Sequence, residues 1–250
     1  MGKIVAFAIQ KGGAGKTTTT INLGFELANR GHKVLLCDLD PQFNLTIGLK
    51  LQGPGVNMYE ALTGRIDHLP IVSINENLSI VKGSLDVAAA EVELINKFAR
   101  ESTLRELLEP VREDFDFIFL DCPPSLSILT INAMTAADEV YIPVQAEFYA
   151  MSGVDKLLTT MAMIKNKLNS KLKLGGVFIT LFDGRKSLNT AVAKDVAKIM
   201  GEESILKTII RDNVSLAEAP ARGQSIFDYA PKSHGAEDYK LLADEFLSRQ

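Results

Sequence analysis

Residues 11–18 read Lys-Gly-Gly-Ala-Gly-Lys-Thr-Thr, and only Gln10 separates them from the apolar run Ile4–Ile9. A strand that runs into glycines and then into a threonine-rich helix start is the arrangement a phosphate-binding loop requires. Glycines let backbone N–H groups turn inward on a polyphosphate, and the helix N-terminus adds a favourable dipole. In such a loop Gly12, Gly13, Ala14 and Gly15 cradle the phosphates with Thr18. Lys16 reaches the β- and γ-phosphates, and the Thr17 hydroxyl ligates Mg²⁺. The strict Walker A pattern places glycine six positions before the lysine, where this chain has Gln10. The loop departs from the general form there, and it carries a second lysine, Lys11.

Working outward, apolar runs alternate with helical patterns. The runs are Ile4–Ile9, Val34–Leu36, Leu78–Val81, Phe117–Leu120, Val140–Val144, Leu174–Ile179 and Leu206–Ile210. The patterns predict helices over Thr17–Asn29, Val87–Leu108, Ser125–Ala136, Met151–Leu168, Leu188–Met200 and Ala236–Arg249. Near-continuous apolar strands separated by helices indicate a mostly parallel sheet covered on both faces. With short, right-handed crossovers this is an α/β, doubly wound fold, a mostly parallel sheet with helices on both faces around the P-loop. The expectation is a single P-loop domain over residues 1–250. Ligand groups should gather at the carboxyl ends of the strands.

Carboxylates stand at two such ends. Asp38 and Asp40 follow the second run, where a carboxylate can face the phosphates; inside the strand it would be costly to bury. Asp40 also precedes Pro41, the order of a helix N-cap followed by a tolerated proline. Asp121 closes Phe117–Leu120 in the position of a Walker B carboxylate, expected to hold Mg²⁺ through water.

These segments together resemble the ParA/MinD family of dimeric ATPases. Lys-Gly-Gly-x-Gly-Lys-Thr-Thr is that family's deviant Walker A box. Residues 34–42 read Val-Leu-Leu-Cys-Asp-Leu-Asp-Pro-Gln, Phe117–Pro124 read Phe-Ile-Phe-Leu-Asp-Cys-Pro-Pro, and Ala217–Pro220 read Ala-Glu-Ala-Pro. Pro231, Ser233, Gly235 and Ala236 within Tyr229–Tyr239, and Gln145–Tyr149, also look like ParA. The similarity spans nearly the whole chain and is closest to the short, Soj-like chromosomal proteins. It implies ATP and Mg²⁺ as ligands, with Asp40 orienting the attacking water and Asp38 near the Mg²⁺ shell. Lys11 becomes the signature lysine that reaches across an ATP-dependent homodimer to the partner's phosphates. A cation delivered in trans stabilises transition-state charge, as an arginine finger does. It also links nucleotide binding to dimerisation.

The resemblance further implies nonspecific DNA as a partner and a ParB-like activator protein. Arg185, Lys186, Arg211 and Arg222 are the candidate phosphate contacts, with Lys194, Lys198 and Lys207 in support; such contacts are sequence-independent and salt-dependent. Arg211 and Asn213 should also approach the adenine, Asn213 through the base edge. Soj-like chains usually carry arginines where this one has Asp212 and Ser215. The group Lys165, Lys167, Lys171 and Lys173 reads as a solvated helix end.

Composition bounds the alternatives. A net charge of −4 argues against a dedicated, strongly basic nucleic-acid binder. Residues 1–150 carry 12 basic and 19 acidic groups and residues 151–250 carry 15 and 12, so the basic excess lies in the second part. No apolar stretch approaches the roughly 20 residues of a membrane span. Cys37 and Cys122 form no metal-ligand spacing and are expected to pack. A strand starting by residue 4 leaves no room for a signal peptide or an N-terminal helix-turn-helix, so a cytoplasmic, nucleoid-associated protein with no membrane partner is expected. A MinD-like membrane-cycling ATPase would want a basic C-terminal amphipathic helix, whereas Tyr239–Gln250 sets Asp244 and Glu245 against Lys240 and Arg249. An ATP-dependent metabolic ligase, as in relatives of dethiobiotin synthetase, is the remaining alternative; Lys11 speaks against it.

Overall fold

The computed structural model describes residues 1–147, 150–201 and 203–250. In chain order its elements are β1 (Lys3–Phe7), α1 (Lys16–Asn29), β2 (Val34–Asp38), α2 (Asn44–Gly48), α3 (Met58–Thr63), β3 (Ile71–Ser73), β4 (Leu78–Val81), α4 (Val87–Leu94), α5 (Thr103–Leu108), β5 (Phe117–Asp121), α6 (Ile128–Ala136), β6 (Glu139–Gln145), α7 (Ala150–Lys167), β7 (Lys173–Thr180), α8 (Ser187–Met200), α9 (Val214–Arg222), α10 (Ile226–Tyr229) and α11 (His234–Ser248). Among the described residues the strands form one seven-stranded sheet in the order β3-β4-β2-β5-β1-β6-β7. Every pairing is parallel except β3 with β4, which gives one edge an antiparallel strand.

Alternation along the strands splits the core into two layers. Ile4, Ala6, Leu35, Cys37, Ile118 and Leu120 face one apolar cluster, with Leu94 and Leu129 of the covering helices. Val5, Phe7, Leu36, Phe117 and Phe119 face the other, against Leu23 and Leu27 of α1 and Phe246 of α11. Phe119 stacks edge-on against both Phe7 and Phe246, with centroids 5.2 and 5.8 Å apart. Such pairs add about 0.5–1.5 kcal/mol each beyond their buried area. The two faces are filled by different helices, as a doubly wound sheet requires. β1 is central, flanked by β5 and β6, so the chain leaves it at the point where strand order reverses. That crevice is where an open α/β sheet binds ligands.

Three segments differ from the sequence expectation. The single helix over Val87–Leu108 is two helices, α4 and α5, joined through Ala99 at φ 51° and a 3₁₀ turn over Arg100–Ser102. The break is fixed from outside: buried Asn132 of α6 donates to the Arg100 carbonyl at 2.8 Å and accepts from the Leu104 amide at 3.1 Å. A helical pattern carries no trace of that distant partner. Leu206–Ile210 is not a ladder strand, although it runs beside β7 with bridges at Ile205 and Arg211. The Leu206 and Ile210 amides still donate to the Val177 and Ile179 carbonyls of β7, but between them Glu245 of α11 accepts the Lys207 and Thr208 amides at 2.7 and 2.8 Å and interrupts the ladder. Asp40 caps no helix; its Oδ1 accepts the Gln42 amide at 2.9 Å in a turn, and α2 begins only at Asn44. The helices α2, α3, α9 and α10 and the edge strand β3 are short elements that the sequence pattern does not mark. Within Gln145–Tyr149, Phe148 and Tyr149 lie outside the described residues.

Candidate functional site

The loop after β1 holds its turn through Gly13 at φ 73° and Gly15 at φ 92°, left-handed conformations that side-chain-bearing residues rarely adopt. Gly15 is the residue before α1, and no side chain caps that helix, nor does any acidic residue stand in its first turn. The free N–H groups of the first turn are therefore presented to a ligand and carry the positive end of the dipole. They open into a cavity of about 510 Å³ lined by residues 12–18, Asp40, Gln42, Ile47, Pro124, Leu181, Pro220 and Ala221.

Lys16 begins α1 and is only 6% exposed. Its Nζ donates to the Lys11 carbonyl at 3.1 Å. Burial lowers its pKa, while the nearby Asp121 and Asp40 carboxylates pull the other way. Thr17 donates its hydroxyl to Asp121 Oδ2 at 2.7 Å, so the two residues expected to serve Mg²⁺ meet across 104 positions of chain.

Asp38 and Asp121 end neighbouring strands in register, and both are fully buried. The Asp38 Oδ2 accepts the amide and hydroxyl of Thr46, at 2.9 and 2.7 Å, and Thr46 Oγ1 in turn accepts the Gly83 amide at 2.8 Å. Each carboxylate keeps one buried oxygen, Oδ1, without a hydrogen-bond partner. Burial pushes Asp38 up to about 7. Asp121 is held well above the ordinary carboxylate range by burial, then by Asp38 beside it. Two orphaned oxygens on adjacent strand ends fit a divalent cation. Among the described residues no three His, Cys, Asp or Glu side chains gather into a protein cage. Mg²⁺ keeps water and substrate oxygens and takes few protein ligands, so two carboxylates and a threonine hydroxyl can serve it.

Lys11 points along the rim instead of into the cavity. Its Nζ pairs with Glu147 Oε2 at 2.6 Å, and Gln145 Nε2 donates to the other oxygen of that carboxylate at 2.6 Å.

Two residues assigned to the base are not on the cavity wall. Arg211 is drawn away by Asp238 and Glu237 of α11, which accept from its guanidinium, the Glu237 contact being 2.6 Å. Asn213 caps α9, its Oδ1 accepting the Ser215 amide at 2.9 Å. Leu181, Pro220 and Ala221 are among the cavity's lining. Only Pro220 had a signal, as the end of Ala-Glu-Ala-Pro.

Three of the four candidate DNA contacts, Arg185, Lys186 and Arg211, lie near one another. Arg185 and Lys186 sit on the loop between β7 and α8, and Arg185 is 91% exposed. Asp183 accepts from Arg185 Nε and Nη2, both at 2.9 Å, and Lys186 lies 3.9 Å from the same carboxylate. The Arg185 bonds hold Asp183 down at about 2. Arg185 and Arg211 share a second cavity, about 650 Å³, with Asp212, Glu237 and Asp238. Arg222 is exposed at the end of α9.

Cys37 and Cys122 are buried and free. Lys165, Lys171 and Lys173 border a hollow at the opposite, amino end of the sheet with Lys3, Arg112, Asp138 and Glu139. No helix among the described residues is long and apolar enough to cross a membrane.

Residues 2–174 match the model of a family described as AAA domain. The chain is 45% identical over 249 residues to the sporulation initiation inhibitor protein Soj of Bacillus subtilis, covering 98% of each chain. It is 43% identical over 251 residues to the chromosome-partitioning ATPase Soj of Treponema pallidum, covering 100% of this chain and 98% of the other. Among solved structures it is similar to cobyrinic acid a,c-diamide synthase from Mycobacterium smegmatis with bound ADP and magnesium. There the TM-score is 0.86 and the identity 35%, over 99% of this chain and 94% of that one.

Proposed function

The chain belongs to the Soj/ParA family of partition ATPases within the AAA-domain family, and from that premise we propose that it is an ATP-driven positioning switch. As an ATPase it binds ATP through residues 12–18 and splits the bond between the β- and γ-phosphates. A water oxygen forms the new bond to the γ-phosphorus, the bridging oxygen leaves with ADP, and inorganic phosphate is released. Asp40, on the cavity wall, orients that water, while Lys16 and the first-turn amides of α1 neutralise the phosphate oxygens. Thr17, Asp121 and Asp38 would hold Mg²⁺, which when bound would supply positive charge against the nucleotide phosphates. The observation that carries the reading is the Thr17–Asp121 hydrogen bond beside two orphaned carboxylate oxygens, under an uncapped helix start.

In the finer reading, ATP closes a sandwich dimer in which Lys11 serves the partner's phosphates. That dimer binds nonspecific DNA of the nucleoid in the cytoplasm, and a ParB-like protein triggers hydrolysis and release of a chromosome, plasmid or protein cargo. Doubling an exposed arginine face is what lets a net-acidic chain hold DNA. The test is binding of Asp40→Ala protein to random-sequence duplex with ATP and with ADP at two salt concentrations. Binding that needs ATP and weakens with salt is expected; none in either state would overturn the DNA role.

The 35% identity to cobyrinic acid a,c-diamide synthase supports a second reading, an ATP-dependent enzyme acting on a small acceptor. Hydrolysis that requires a small-molecule carboxylate and ignores DNA would favour it.

A further inference from the structure

The last residue of β7, Thr180, is 2% exposed and lies 166 positions from the loop it touches. Its Oγ1 donates to the Ala14 carbonyl at 2.8 Å in a buried contact. In a trans peptide the C=O and N–H point in opposite directions. Holding the Ala14 oxygen against β7 therefore turns the Gly15 N–H the other way, towards the cavity. The Thr180 side chain also lies 3.5–3.8 Å from where a Cβ on Gly15 would stand, so hydroxyl and methyl together seat the same peptide. The next residue, Leu181, adopts φ 52°, a left-handed conformation that is costly for leucine, and lines the cavity. The strand end is thus held in a defined pose against the loop.

We propose that Thr180 is a positioning residue for the phosphate loop, setting the Ala14–Gly15 peptide so that its N–H meets the nucleotide phosphates. The inference rests on the phosphate-loop reading above. Gly13 and Gly15 give the loop its turn but leave it soft, because glycine does not restrict its own backbone. A rigid strand supplies the missing restraint.

The experiment compares Thr180→Val, which keeps the shape and deletes the hydroxyl, with Thr180→Ser, which keeps the hydroxyl, in the full chain. Equilibrium binding of ATP and AMP, steady-state kcat and KM, and Tm are measured, with Lys16→Ala as reference. Thr180→Val is expected to lose about tenfold in ATP affinity, the scale of one buried hydrogen bond. AMP affinity should change much less, and Thr180→Ser should return ATP affinity to within about threefold of the starting protein. A merely structural role would lower Tm and weaken ATP and AMP alike. Unchanged ATP affinity in Thr180→Val, equal losses for both nucleotides, or no rescue by serine overturns the inference. If Lys16→Ala keeps its ATP affinity, the phosphate-loop reading itself fails.

Discussion

Lys16 and Arg185 are both expected to meet phosphate, yet the fold treats the two cations in opposite ways. Lys16 is buried at the mouth of α1, and its ammonium is bonded to a carbonyl, with no carboxylate in ion-pair range among the described residues. Burial lowers its pKa, so the charged form gains stability when an anion arrives. Arg185 stands almost wholly in water and is already clamped by both oxygens of Asp183. Arg211 is likewise engaged by Asp238 and Glu237. One region keeps its cation for a ligand; the other matches its arginines with its own carboxylates. An isolated chain should therefore bind nucleotide strongly and DNA weakly, and DNA affinity should depend on how many copies present the arginine face together.

Lys11 lies between these extremes, half-buried and paired with Glu147. Lys11→Ala is expected to give the largest effect, a loss of about a thousandfold in hydrolysis, as for a charge supplied in trans. ATP affinity should stay within a few fold, and sizing with ATP should show no dimer. Full hydrolysis by this variant would place Lys11 with the clamped cations. Lys16→Ala follows, with ATP affinity falling about a hundredfold by equilibrium titration, since a desolvated partner of phosphate is removed. Retained affinity would break the contrast on its stronger side.

Smaller effects sharpen the weaker side. Arg185→Glu should reduce affinity for random duplex by about tenfold and flatten the salt dependence by about one unit of slope, with ATP binding unchanged. The smallest is the reverse experiment. Asp183→Asn leaves Arg185 in place and removes its clamp, so DNA affinity should rise by about threefold at low salt and less at high salt. A fall in affinity would mean that Asp183 aims the arginine and does not neutralise it.

The same contrast explains how much could be read in advance. The loop, the strand-end carboxylates and the apolar runs are contiguous signals, each carried by a few neighbouring residues. Lys-Gly-Gly-Ala-Gly-Lys-Thr-Thr after Ile4–Ile9 contains its own strand, turn and helix start, and the structure delivers all three. Arg211 reads as a free cation because Glu237 and Asp238 lie more than twenty positions away on another helix. Nothing in Arg-Asp-Asn announces that α9 begins one residue after Asn213, so its capping role is not legible in the sequence. Leu206–Ile210 has the composition of a strand, and Glu245, far along the chain on α11, takes the Lys207 and Thr208 amides from the middle of its ladder.

The sequence by itself determined the parallel, doubly wound core, the phosphate loop, and the three aspartates at the ends of two strands. Those features follow from local periodicity and from chemistry that neighbouring residues complete alone. The tertiary structure decided which charged groups remain available. It paired Asp121 with Thr17, Lys11 with Glu147, and Arg211 with Asp238, and it set Thr180 under the Ala14 carbonyl. Each is a contact between residues far apart in the chain, and what a charge can do depends on the partner and the water that the fold gives it.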